Sequence, residues 1–134
     1  MARALNEIQT LIKIYEWLRD YEPLIRAAMD GPKSLKDLQQ AALGPSVPGY
    51  HDHHIVEQKA AENGGASQAE INDPNNIVRI PELKHRLING WYGRPNEGEP
   101  FNGMSPRDYL RDKGWAERRR VGLEALKLFG VLEP

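Results

Sequence analysis

Tyr50-His51-Asp52-His53-His54-Ile55-Val56-Glu57, followed by Asn76-Ile77-Val78-Arg79-Ile80-Pro81 and then His85, is the stretch on which the reading of this chain turns. All four histidines fall in it, three of them at 51, 53 and 54. Tyr50–Val56 reads as a short strand. Residues 57–75 carry Glu62-Asn63-Gly64-Gly65-Ala66 and Asn72-Asp73-Pro74-Asn75, which is loop chemistry, with a helical turn open to Glu57–Ala61. Ile77–Ile80 is a second short apolar strand. Pro81 suits the first position of a helix over Glu82–Trp91, which Gly90 or Gly93 ends. The centre therefore reads strand, long loop, strand, helix.

Outward from this centre the pattern is helical. Upstream, Gly44-Pro45-Ser46-Val47-Pro48-Gly49 is a rigid turn. Before it, Ser34 caps a short helix, Leu35–Leu43, with Asp37 three residues on. Residues 4–30 form a longer helix in which Leu5, Ile8, Ile12 and Tyr15 share one face, and Ile14, Trp17 and Tyr21 mark a second. Such a helix is expected to be covered on two sides, and Pro23 to kink or divide it. Downstream, Arg94–Gly103 is rich in Gly, Pro and Asn and is expected to be a mobile loop. Ser105-Pro106-Arg107-Asp108 combines an N-cap, an N1 proline and an N3 acid, and starts a helix holding Tyr109, Leu110 and Trp115. A last helix covers Ala116–Phe129, closed by Gly130. The expected fold is α+β in a single domain, 1–134: N-terminal helices over 1–48, a small ββα core over 49–93, and C-terminal helices over 94–134.

Composition narrows the classes. The 134 residues hold no cysteine, which excludes a disulfide framework and a cysteine zinc site. No apolar run approaches a membrane span, so no membrane partner is expected. The first residues lack the apolar stretch of a signal peptide, which fits a cytoplasmic protein. Net charge is −1, but residues 1–78 hold 7 Lys+Arg and 11 Asp+Glu, whereas 79–120 hold 10 and 6. A polyanion would meet the second half; the alternative is a solvated helix surface of mixed charge.

Neutral imidazole is the commonest transition-metal ligand and a natural base near neutral pH. Neighbours in a strand point to opposite faces, so His53 and His54 cannot chelate one ion side by side. They can flank a substrate, one holding a metal and the other handling a proton. His85 lies one helical turn before Asn89, so both can face one point. A metal on His53 and His85, with Asn89 beside them, keeps positions open for water and a phosphate oxygen.

His53-His54-Ile55-Val56-Glu57, then Asn76-Ile77-Val78, then His85 nine residues after the asparagine, resembles the HNH (ββα-metal, His-Me finger) endonuclease superfamily, in the His-His variant of colicin-type and bacterial polymorphic-toxin nucleases. The resemblance covers about Tyr50–Tyr92. It implies that His53 is the first metal ligand, His54 the general base, Asn76 the brace of the long loop and His85 a second metal ligand. It implies one divalent metal ion, acting as Lewis acid on the scissile phosphate. Asp52-His53 is an alternative register; His53-His54 is preferred because Ile-Val follows His54 directly. The pattern departs at Asn89, where the colicin-type nucleases carry a further histidine. An amide oxygen suits a hard ion, which leaves magnesium, manganese, zinc and nickel as candidates.

Around the site, Arg79 and Arg86 are candidate phosphate clamps, and Arg118 and Arg119 candidate contacts to a nucleic-acid backbone. Glu57 reads as a solvated helix start, and Trp91-Tyr92 as core. No Gly-x-Ser-x-Gly, P-loop or dinucleotide fingerprint is present. The expected function is a divalent-metal-dependent endonuclease cutting DNA, or RNA. Its setting is either a small phage-type nuclease or a toxin domain delivered into a target-cell cytoplasm and blocked by an immunity protein. The alternative is an inactive HNH-derived module that binds nucleic acid or protein.

Overall fold

The computed structural model describes residues 2–134. Its centre is an antiparallel ribbon of β1 (Tyr50–His54) and β2 (Ile77–Pro81), in the register His51 opposite Ile80, Asp52 opposite Arg79 and His53 opposite Val78. Helix α5 (Glu82–Tyr92) follows β2 without a loop. Pro81 is the N-cap of α5 with extended ψ of 135°, one position earlier than expected. The Glu82 amide donates to the Gly49 carbonyl at 2.9 Å, which ties the start of α5 to the turn before β1. The chain is thus α+β, mostly helical, with a small two-stranded sheet.

The ribbon sits in one core with Ile55, Val78, Ile80, Ile88, Tyr92 and Leu126. Helix α2 (Leu35–Ala42) packs on β2 and is capped as expected, the Asp37 amide donating to Ser34 Oγ at 3.1 Å. Helix α7 (Trp115–Leu128) comes closest at Gly122, where an added Cβ would lie 2.1 Å from the Ile55 carbonyl oxygen. A side chain there forces α7 off the ribbon. The C-terminal tail straps the fold: Lys33 N–H donates to Val131 O and Glu133 N–H to Lys33 O, both at 3.0 Å.

The long loop is more ordered than its composition implies. It contains α3 (Gln58–Asn63), α4 (Gln68–Ile71) and a 3-10 turn, Pro74–Asn76. A Ser67/Glu70 capping box starts α4. Val56, Ala61 and Ile71 form a second small core under it, with Trp115 against them. The 94–103 segment is also closed rather than loose. Asn96 and Gly103 bond each other's neighbourhood through Asn96 N–H to Met104 O (3.0 Å) and Gly103 N–H to Asn96 O (2.8 Å), and buried Phe101 packs edge-on against Trp91 and Tyr109. The Ser105-capped helix, α6 (Pro106–Tyr109), is a single turn running into a 3-10 turn over Leu110–Asp112.

Two expectations about the first helix are corrected. Helix α1 (Ala2–Ala28) runs through Pro23 undivided; the carbonyl that Pro23 leaves without an amide partner lies on an exposed helix, where water can satisfy it. Nor does this chain cover its apolar faces, for Leu5, Ile12, Tyr15 and Trp17 are all exposed. Among the described residues, only the C-terminal end of α1 is anchored. Ala27 is buried, Tyr50 OH donates to the Asp30 carboxylate, and Gly49, with φ of 89°, passes so close that a Cβ would meet the Pro23 carbonyl at 2.3 Å. Among the described residues no helix is long and apolar enough to cross a membrane.

Candidate metal centre

The two-residue period of β1 sorts the histidines. His51 and His53 point to one face of the ribbon, Asp52 and His54 to the other. Helix α5 lays His85 against the first face. The ring of His85 stacks on His51, with centroids 4.0 Å apart and planes 23° apart. The same ring meets His53 edge-on at 5.2 Å, and the two Nδ1 atoms face each other at 3.0 Å. His53 is 3% exposed, and its other ring nitrogen, Nε2, is buried with no hydrogen-bond partner.

Burial sets the protonation of this cluster. It pushes the His53 pKa from 6.5 down to about 3, with help from the neighbouring His85, His54 and His51 charges. His85 is lowered as well, first by burial and then by His51. Both rings are therefore neutral at pH 7, the form that carries a lone pair for a metal. Two ligands at a metal–nitrogen distance of ~2.0–2.1 Å lie about 3 Å apart, so the facing Nδ1 atoms fit one divalent ion. The orphaned Nε2 lies on the other edge of the His53 ring, a second polar atom in the core without a partner. Further protein ligands are not gathered: among the described residues no three His, Cys, Asp or Glu side chains form a metal-holding group.

Asn89 does not reach this junction. Its amide lies 3.1 Å from His85 Nε2, on the far side of the ring from Nδ1. Turned so that its oxygen accepts from Nε2–H, it leaves the His85 Nδ1 lone pair aimed at His53. Asn89 thus bears on the tautomer of His85.

On the opposite face, His54 Nε2 lies 3.2 Å from Asn72 Oδ1. Asn76 is buried and ties the loop together. Its Oδ1 accepts from Val56 N–H at 2.9 Å, and its Nδ2 donates to Ile71 O at 2.9 Å and Val56 O at 3.3 Å. Asn76 thus ties the loop by backbone hydrogen bonds, one of them to Ile71, the chain neighbour of the Asn72 that contacts His54.

The arginines divide differently from expectation. Arg79 is turned inward, bonding Asp52 (3.1 Å), Pro45 O (2.7 Å) and Gly44 O (3.1 Å). Arg118 is buried, with Lys113 O at 2.9 Å and Arg111 O at 3.3 Å. Both hold backbone carbonyls in place of phosphates. Arg119 is partly exposed and donates to Asn75 O at 3.0 Å; Arg86 is exposed and pairs with Glu82. Glu57 is not a solvated helix start. It takes both arms of Arg107, at 3.2 and 2.7 Å, and so clamps α6 to the end of the ribbon. Tyr92 is fully buried, in the core.

Three participants carried little signal in the sequence. His51 shares strand parity with His53, which places it on the same face, but its stacking depends on where α5 crosses. Asn72 lies 18 residues from His54, and Arg107 lies 50 from Glu57; nothing local announces either pair. No protein-family model, curated protein sequence or solved structure matches the chain.

Proposed function

We propose that the chain is a divalent-metal-dependent endonuclease of the HNH kind, hydrolysing phosphodiester bonds in DNA, or RNA. The observation that carries this reading is the buried His53 Nδ1 facing His85 Nδ1 at 3.0 Å, set on a ribbon–helix unit whose loop is braced by Asn76.

His53 and His85 hold the ion, which when bound supplies Lewis-acid stabilisation of charge on the scissile phosphate. His54 takes the proton of the attacking water. Asn72 orients it: with His54 Nε2–H donated to Asn72 Oδ1, His54 Nδ1 is the free lone pair. Asn76 keeps Asn72 in place by bonding the carbonyl of Ile71, its chain neighbour. Asn89 and His51 fix the ring of His85, one at Nε2 and one by stacking. Arg86 and Arg119 remain the candidate backbone contacts. As the toxic domain of a larger effector, the chain would act in a target-cell cytoplasm and be blocked by an immunity protein that covers the histidines.

Plasmid nicking with Mg²⁺, Mn²⁺, Ni²⁺ or Zn²⁺ tests the reading. Cleavage sensitive to chelator is expected, and His54→Ala loses ~10²–10⁴-fold in rate while binding metal as wild type does in calorimetry. His85→Ala loses metal affinity. Nucleic-acid binding without cleavage of DNA or RNA under any of these ions would overturn it in favour of an inactive binding module.

A further inference from the structure

From Leu5 to Ile25, ten large apolar side chains of α1 are between 45% and 66% exposed. At ~200 Å² for a fully exposed large side chain they present roughly 1,000 Å² of apolar surface, against the ~300–600 Å² patch of a typical monomer and the ~800 Å² that each side of a standard interface buries. Written in heptads, α1 has Leu11, Leu18 and Ile25 at a, and Ile14 and Tyr21 at d. It is apolar at the flanking e and g positions too, with Ile8 and Tyr15 on one side and Trp17 and Leu24 on the other. Asn6, Gln9, Lys13, Glu16 and Asp20 take c and f, Leu5 and Ile12 lie at b beside the seam, and Glu7 takes the d position at its N-terminal end. The stripe is ordered enough to be a seam, and too broad to be left in water.

We propose that α1 is a dimerisation arm that pairs antiparallel with α1 of a second copy of this chain. The stripe is complementary to itself. With α1 reversed about residue 16, Leu11 meets Tyr21 of the second copy, Ile14 meets Leu18, and Tyr15 and Trp17 each meet their own equivalents. At the end of the seam Glu7 comes level with Ile25. This is the isologous geometry of a two-fold dimer, and its area suffices for a stable one. A 27-residue helix is ~40 Å long, and the same reversal brings Leu5 and Ile8 of the second copy level with residues 24–27. The arm's anchorage at its C-terminal end alone leaves its first five turns clear of the body for such an exchange.

Association through α1 is independent of the chemistry at the histidines, and sedimentation equilibrium tests it directly. Wild type is expected at twice the monomer mass at ~10 µM, and Leu18→Glu, which puts a charge in the seam, is expected to weaken the dimer at least ~100-fold. Lys13→Glu, on the polar face, leaves association unchanged and controls for charge. Near-ultraviolet signals of Trp91 and Trp115 report that the body stays folded. The absence of native cysteine allows orientation to be read from single replacements: Tyr15→Cys, near the axis, cross-links to itself, and Ile8→Cys does not. A wild type that stays monomeric at ~100 µM overturns the proposal and assigns the face to a different molecule. Equal cross-linking of Ile8→Cys overturns the antiparallel pairing.

Discussion

Asn76, in the turn that leads into β2, and His53, on β1, are both buried polar side chains, and they are treated in opposite ways. Every side-chain hydrogen-bonding group of Asn76 has a backbone partner, and its own amide and carbonyl are bonded to Asp73 O and Ile55 N–H, both at 2.8 Å. His53 has one ring nitrogen against another imidazole and the second against nothing. Burying a polar group costs free energy that only pairing recovers. Asn76 recovers it and acts as a structural rivet. His53 recovers it at Nδ1 alone and leaves Nε2 stranded. The two residues together separate the part of the site that builds the loop from the part proposed to do chemistry.

The largest expected effect comes from breaking the first of the pair. Asn76→Ala removes three side-chain bonds and strands the buried Val56 amide and Ile71 carbonyl, which at ~1–3 kcal/mol for each stranded group predicts a loss of about 3–5 kcal/mol. A urea midpoint that falls with unchanged slope measures it. A cost under ~1 kcal/mol would remove the contrast. His53→Phe comes next. It exchanges a ring paired at Nδ1 alone for an apolar one of similar shape, so stability stays within ~1 kcal/mol of wild type or rises, while the proposed metal affinity and cleavage are expected to be abolished. A loss above ~2 kcal/mol would make His53 structural after all. The third prediction joins the two: a divalent ion at ~100 times its Kd adds about 2.7 kcal/mol to wild type, and adds nothing to His53→Phe.

What the sequence discloses follows the range of the interactions. The strand, loop, strand and helix were legible because prolines, glycines and short apolar runs act locally. So was the separation of His53 from His54, which is only the alternation of a strand. The capping box at Ser67 and Glu70 was written just as locally, inside a segment whose glycines and asparagines read as loop. Arg79 is different: its partner Asp52 is set by the register of the ribbon, and the Gly44 and Pro45 carbonyls by how the turn folds over β2. Arg118 looks like one of three surface arginines until α7 docks and turns it toward Lys113 and Arg111. The periodicity of α1 shows that its faces are apolar, and is silent on what meets them.

The smallest effect sharpens the comparison from a third side, by pairing a group without burying it. Glu117 accepts from Arg120 at 2.6 and 2.8 Å and from the Tyr109 hydroxyl, so its oxygens are used as fully as those of Asn76, but it is partly open to solvent. Arg120 first, and Tyr109 second, hold its pKa at about 2 instead of 4.5. The carboxylate is more acidic folded than unfolded, so its contribution is complete above pH 4.5 and is lost as pH falls toward 2. Solvent screening keeps that contribution below ~1 kcal/mol. Glu117→Gln is therefore expected to cost less than ~1 kcal/mol at neutral pH, and to flatten the acid limb of the stability curve between pH 4.5 and 2, as read from urea midpoints along a pH series. If this exposed carboxylate proved as costly to lose as Asn76, pairing alone, and not pairing under burial, would set the stability of the site's frame.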